Sequence, residues 1–455
     1  MKELTSKVKS FWGVGDLGFS FMVTVELMFF LKFLTDVAQF PLAVAAMISS
    51  ITGIADMVSA LLAGVFIDKM NLKGGKYRPW LIYFPILIMV LYALQFSALG
   101  SQTTSAIIVS AAFIISHALW NVTWTANRAL VGVLSESPAD RAFLSGRISA
   151  GATLGKMTAS KLIPMAVIFF SAKFAAPYLG FTVTALTAAT VMVLGYFITY
   201  FITDGYDKPV QKVETAQETQ AVQADKVTFG DMIRSLVQNP PLITYALMDL
   251  LRLTGYYSTM AVAAYYSEFV LKDPVMTGNI LLAFNLGAFL GSLMTKTVVS
   301  KVGSKMATIF GLAGWAASTI VAYLVSPNAL MVVLFIGIGQ IFFGVAYGLT
   351  TGMYSNGATY SEYHTGKNTQ GFVMSVMSAA IKTSIILRGL VITVGLGAIG
   401  YVAGAPMTES VQGGISALFF LVPVFFIALS LIPMFFFRLK DEEVERMARE
   451  ISARK

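Results

Sequence analysis

The chain contains no cysteine, which excludes disulfide bonds, thiol nucleophiles and Cys-ligated metals together. Histidine is nearly as scarce: His117 and His364 alone are too few to build a histidine-rich metal centre. No HExxH, paired-histidine, GxSxG or nucleotide-loop motif occurs in any apolar span or connecting loop, so an integral enzyme or a catalytic sensor has no reaction centre to point to. Charge is in short supply as well. Charged residues are 12% of the chain, too few to cover a soluble globular surface. A cleavable signal peptide is not expected either, because the apolar stretch behind Lys2, Lys7 and Lys9 is too long and is interrupted by charge.

What the chain has instead is apolar length. Of its 455 residues 56% are apolar, Phe alone accounts for 34, and the mean hydropathy is +0.73. About twelve runs approach or exceed the ~20 residues that cross a hydrocarbon layer: 11–34, 41–67, 79–99, 105–134, 142–172, 178–203, 240–270, 275–298, 304–325, 328–354, 370–401 and 412–437. The net charge of +8 follows the same plan. With both termini cytoplasmic, most Lys and Arg fall in cytoplasmic segments and only Lys32, Lys173 and Lys272 fall outside, which is the positive-inside asymmetry and not a nucleic-acid footprint.

A few charges sit where charge is costly. Asp16, Glu26, Asp56, Arg128, Arg147, Lys156, Lys161, Asp249, Arg252, Lys382 and Arg388 lie inside apolar runs. Each costs roughly 2.5–3.5 kcal/mol at the centre of a spanning helix, so such residues face a bundle interior or a wet cavity and mark the functional candidates. His117, Asn121, Trp124 and Arg128 recur at i, i+4, i+7 and i+11, within about 60° of one another on a helix. That stripe reads either as a polar packing seam or as a cavity wall with an aromatic platform for a sugar ring. Asp249 and Arg252, three apart, are placed to pair. Basic residues outnumber acidic ones in the interior, and guanidinium forks suit carboxylates and sulfonates.

The polar stretch 204–239, with QKVETAQETQAVQADK inside it, separates six runs from six. The expected organisation is a six-helix bundle over 1–203, a cytoplasmic middle loop over 204–239, a second bundle over 240–437 and a cytoplasmic tail over 438–455. This is the all-α, twelve-helix major facilitator plan, in which the substrate site lies between two parallel repeats near the midplane. The tail RLKDEEVERMAREISARK reads as a solvated amphipathic helix, and His364 as a surface residue.

FWGVGDLGFS at 11–20, FLTDVA at 33–38, FIDK at 66–69, GGKYRPW at 74–80, DRAFLSGRIS at 140–149 and TYSEYHTGKNTQG at 359–371 resemble the glycoside–pentoside–hexuronide cation symporters, the group that includes the bacterial melibiose permeases. The resemblance runs over nearly the whole chain. It implies a sugar-binding role for Asp16, Arg147 and Lys382, with Ser378 one turn before the lysine. Trp124 and Thr125 are carried over from the fourth helix, and Arg128 and Arg252 join them as interior cations. Asn121 stands where the family has an acid. The resemblance also implies a cation site at Asp56, but the second acid of that site is replaced by Ala60, an Asn by Ser59 and a Thr by Ala118. With the sodium shell depleted, Asp56 and His117 are the candidate proton carriers, histidine being the side chain that changes charge near neutral pH. The expected protein is therefore a monomeric, multi-pass secondary transporter in a bacterial cytoplasmic membrane, with no cofactor, no metal and no nucleic-acid partner. Its expected substrate is a sugar, glycoside or sugar acid, leaning to an anionic hexuronide, moved with a proton in preference to sodium. An uncoupled sugar facilitator and a lysolipid-type transporter are the alternatives.

Overall fold

The computed structural model describes residues 3–70, 72–207, 236–273, 275–401 and 406–454. The stretch 211–226, read from sequence as a polar linker, lies outside them. Among the described residues the named elements are all helices. The first half carries α1 (Ser6–Phe11), α2 (Val14–Lys32), α3 (Leu42–Lys69), α4 (Trp80–Leu94), α5 (Gln102–Leu134), α6 (Pro138–Ser171) and α7 (Pro177–Ile202). The second carries α8 (Pro240–Tyr265), α9 (Met276–Leu324), α10 (Ala329–Thr365), α11 (Gln370–Ala398), α12 (Glu409–Phe436) and α13 (Asp441–Arg454).

Local chemistry sets the boundaries. Ser101 accepts from the Thr104 N–H (3.2 Å) to cap α5. Asn239 accepts from the Leu242 N–H (3.0 Å) ahead of Pro240 and Pro241, whose missing donors are tolerated in a first helical turn. At 49 residues α9 would extend ~73 Å at 1.5 Å per residue, far beyond a ~30 Å hydrocarbon layer. Gly303, at φ 77°, breaks it into two crossings, a conformation that a Cβ would oppose. Nine helical runs among the described residues are long and apolar enough to cross a bilayer. Splitting α9, and adding the 15-residue α4 and the tyrosine- and charge-bearing α8, gives the twelve crossings of a major facilitator fold.

The described residues cluster in two compact units. The first comprises those within 3–136, 151–207 and 358–375; the second comprises 137–150, those within 236–357, and those from 376 on. In the first, Phe30, Phe33, Phe96 and Phe113 form a buried aromatic core, with Phe33 edge-on to Phe96 at 5.4 Å. In the second, Tyr256 stacks on Phe343 (4.5 Å) and Tyr266 on Phe419 (4.5 Å). Leu27, Ile168, Phe201, Leu324 and Phe435 are exposed, which suits helices whose outer faces meet lipid tails.

The tail is not simply solvated. Val444, Met447 and Ala448 bury one face of α13, and Asp441 accepts from the Ser304 N–H (2.8 Å), capping the crossing that begins after Gly303. Lys305 donates to the Phe437 carbonyl (2.6 Å). His364 is exposed, in the last turn of α10 and not in a loop.

In the first unit the GGKYRPW turn is held from both sides. Asp207 accepts from three successive backbone N–H groups, those of Lys76 (3.1 Å), Tyr77 (2.6 Å) and Arg78 (2.8 Å). Asp68 pairs with Lys76 (2.8 Å) and accepts from the Phe372 N–H (2.8 Å) and Gly371 N–H (3.3 Å), otherwise unanswered donors at the start of α11. Burial pushes the Tyr77 phenol well above its ordinary pKa, and the charges of Asp68, Asp207 and Glu362 push it further, so it stays protonated and donates to Asn368 (3.4 Å).

Asp207→Ala leaves three backbone donors, two of them buried, without their acceptor and is expected to destabilise the first unit by about 3 kcal/mol. The loss is read as a lowered unfolding temperature of detergent-purified protein, with Asp207→Asn intermediate. An unchanged temperature in the alanine variant would show that the turn holds itself.

Candidate functional site

Asp16 lies in the first turn of α2, inside GVGDLG. Gly18 lets that helix press onto α7: a Cβ there would come within 2.6 Å of the Val191 carbonyl oxygen. The carboxylate is buried, 2.8 Å from Arg128 Nη1, and its other oxygen accepts from Asn127 Nδ2 (2.8 Å). The Arg128 guanidinium sits 3.7 Å above the Trp124 ring, so that face of the indole is already covered by a cation. Thr125 is buried beside them, its hydroxyl without a hydrogen-bond partner among the described residues.

Farther along α2, Glu26 meets the buried His117 of α5, with Nε2 3.3 and 3.2 Å from the two carboxylate oxygens. The two rungs are ten residues apart on α2 and eleven on α5, about 15 Å along either axis. They define an antiparallel pairing of the two helices. His117 is stacked on Phe113 (3.6 Å, 7°) and lies against Trp120 (3.7 Å).

Between the rungs α5 turns to a different neighbour. Asn121 Nδ2 donates to Asp56 Oδ1 (2.9 Å) and to Ser59 Oγ (2.9 Å), and Ser59 donates to the Asp56 carbonyl (3.0 Å), all on α3. Ala60 is fully buried there and offers no side-chain oxygen. An amide aims its hydrogens at the carboxylate, an orientation that competes with a cation for the same oxygens.

In the second unit Arg252 is completely buried and forms an ion pair with Asp249 one turn earlier. The same nitrogen donates to Thr350 (3.0 Å), and Tyr354 donates to Asp249 (3.3 Å). Phe343 and Tyr347 lie under the guanidinium at 5.3 and 5.7 Å. Arg252 Nε and Nη1 have no partner among the described residues. Arg147 rests on the Phe143 ring (5.3 Å), which Lys296 also approaches (5.2 Å). Both cations line a cavity of about 280 Å³ with Ser292 and Leu293. Lys296 is neutralised by Asp140 (3.2 Å); Arg147 has no acidic partner among the described residues. Ser378 is buried and Lys382 half-buried on α11 in the same unit.

Of the residues singled out from sequence, Asp16, Asp56, His117, Asn121, Trp124, Thr125 and Arg128 thus belong to the first unit, and Arg147, Arg252, Ser378 and Lys382 to the second. The stripe on α5 is a seam whose members answer different helices. Asn127, Thr350, Tyr354 and Lys296 escaped the sequence reading, while Ser59, noted there at a depleted cation position, is a partner of Asn121. Asn127 carries a signal, an amide within a span next to Arg128; Thr350 and Tyr354 stand in the polar run TTGMYSN.

A family model described as MFS/sugar transport protein matches residues 11–441, and the chain belongs to this family. A putative sulfoquinovose importer of Salmonella typhimurium is 25% identical over 464 residues, covering 100% of this chain and 94% of its own. A glucuronide carrier protein homolog of Escherichia coli is 24% identical over 455 residues, covering 98% and 95%. Among solved structures, a proton:xylose symporter bound to 6-bromo-6-deoxy-D-glucose superposes with a TM-score of 0.65 at 12% identity, covering 97% of this chain and 98% of its own, a likeness of fold. The protein is a multi-pass bacterial membrane transporter of the major facilitator sugar symporter family.

Asp249→Asn strands a buried guanidinium and is expected to cost about 3–5 kcal/mol, whereas Asp249→Asn with Arg252→Gln removes both charges and costs less. Thermal unfolding of the single and double variants measures the difference. A double variant no more stable than the single would show that the pairing is not what retains Arg252.

Proposed function

We propose that the protein is a symporter of a sugar acid or other anionic glycoside of the hexuronide type, working by alternating access, coupled to protons and independent of sodium. The observation that carries the substrate class is the unanswered guanidinium chemistry of the second unit. Among the described residues Arg147 has no acidic partner and lines a cavity with Lys296, and Arg252 keeps two buried donors beyond those that Asp249 and Thr350 engage. A planar fork with free N–H groups recognises a carboxylate or sulfonate in two parallel hydrogen bonds. The hydroxyl-binding candidates of the first unit have partners in place: Asp16 is held by Arg128 and Asn127, and Asn121 by Asp56 and Ser59. The weight of recognition in this reading falls on the basic residues. Relatives named for sulfoquinovose and for a glucuronide support the same class.

Independence from sodium rests on the α3–α5 contact. Sodium needs several oxygens, and here the Ala60 side chain contributes none while the Asn121 amide hydrogens already address Asp56.

Thermal-shift screening of detergent-solubilised protein against uronides, sulfonated sugars and neutral glycosides, with and without sodium, is the test. Uronides and sulfonates are expected to raise the unfolding temperature in either salt. Arg147→Ala should weaken them by about 30-fold, the loss of roughly 2 kcal/mol from one charged hydrogen-bonded contact. Stabilisation by neutral glycosides alone, or only with sodium present, contradicts the proposal, and stabilisation by lysolipids alone moves the protein to the lysolipid-type alternative.

A further inference from the structure

We propose that the co-transported proton is held between Glu26 and His117, an inference that rests on the symport reading above and assigns its coupling site. The Nδ1 atom of His117 lies 2.9 Å from the Phe113 carbonyl oxygen, which only accepts, so Nδ1 carries a hydrogen. Ser116 does not displace it, because its own hydroxyl donates to the same carbonyl (2.9 Å) while accepting from Gln95. With Nδ1 protonated, a neutral ring presents a lone pair at Nε2. Both oxygens of Glu26 stand 3.3 and 3.2 Å from that nitrogen. Two acceptors facing each other in a buried setting are unfavourable, so one proton must lie between them, on Nε2 or on the carboxyl group. The rung is intact when it holds that proton and loses its hydrogen bond when the proton leaves.

The surroundings fit a site that gains and loses charge. The imidazole stacks on Phe113 (3.6 Å) and lies tilted against Trp120 (3.7 Å, 43°), aromatic neighbours that favour a cation. From α4, Tyr92 donates to the Met22 carbonyl (2.8 Å) and accepts from the Glu26 N–H (3.2 Å), fixing the backbone that carries the carboxylate. α7 meets α2 here through Phe181 on Phe29 and brings no charge. α3 contributes Asp56, engaged by Asn121 one turn along α5, and the next cation on α5, Arg128, is three turns away and held by Asp16. Among the described residues no second base is paired with the rung. The His117 side chain is 1% exposed and that of Glu26 15%, so the carboxylate is the member through which the proton passes to and from water.

The balance of the step is simple. The loaded pair, imidazolium with carboxylate or imidazole with carboxylic acid, releases one H⁺ to solvent and becomes imidazole with carboxylate. Purified protein in liposomes with an internal pH dye, given an anionic sugar that it binds, should acidify the interior as substrate enters. Glu26→Gln and His117→Asn should lose that acidification, and His364→Asn should keep it. The His364→Asn background also leaves His117 as the sole histidine, so its ring carbon resonances report protonation directly in the folded protein. They should shift when substrate binds, and the shift should change in Glu26→Gln. Substrate-driven acidification that persists in Glu26→Gln, or a His117 signal indifferent both to substrate and to Glu26, overturns the assignment. A wild-type protein that binds the sugar and moves no proton overturns proton coupling itself, and with it this inference.

Discussion

The Asp16–Arg128 ion pair sets the geometry of the first unit. Each charge alone is costly in a spanning helix, and each is the other's nearest remedy. Once the pair forms at 2.8 Å, α2 and α5 have a register and a direction. Two antiparallel helices with the same rise per residue then bring Glu26 to His117 without further instruction. Asn127 and Trp124 complete the first rung, one as a donor to the carboxylate and the other as a floor beneath the guanidinium. Close helix approach makes this possible, since glycine at position 18 leaves α2 free to press on α7.

The second unit handles charge differently. Its buried pair is made within one helix, Asp249 to Arg252, and so fixes no neighbour by itself. Thr350 and Tyr354 of α10 supply that link, with Phe343 and Tyr347 stacked beneath. Among the described residues Arg252 keeps two nitrogens without a partner, and Arg147 rests on a ring with no acidic partner. The first unit, by contrast, pairs Asp16 with Arg128 and Glu26 with His117. In the proposed cycle the proton belongs to the first and the substrate's acid group to the second.

Much of this was legible in the sequence because membrane helices advertise themselves. The apolar runs predicted at 178–203, 370–401 and 412–437 correspond to helices at Pro177–Ile202, Gln370–Ala398 and Glu409–Phe436. The expectation of a break before 304 corresponds to Gly303. Charges in greasy segments were equally visible, and the three-residue spacing of Asp249 and Arg252 announced their pairing. Partnerships between helices were not visible. Nothing in the periodicity of α5 says that His117 and Arg128 answer α2 while Asn121 answers α3, because helical spacing gives a face and not the neighbour opposite it. The tail misled for a related reason: a charged, amphipathic stretch looks solvated until the surface that buries Val444 and Met447 is known.

The proposed proton site depends on the α2–α5 register, so the most direct measurement exchanges its charges. Asp16→Arg and Arg128→Asp, separately and together, are followed by thermal unfolding of purified protein. Each single reversal places two like charges side by side in a buried setting and is expected to abolish the folded unit, while the combined exchange restores the pair and recovers a cooperative transition. Single reversals as stable as the parent protein, or a double variant no better than either, would contradict the register on which the rest is built.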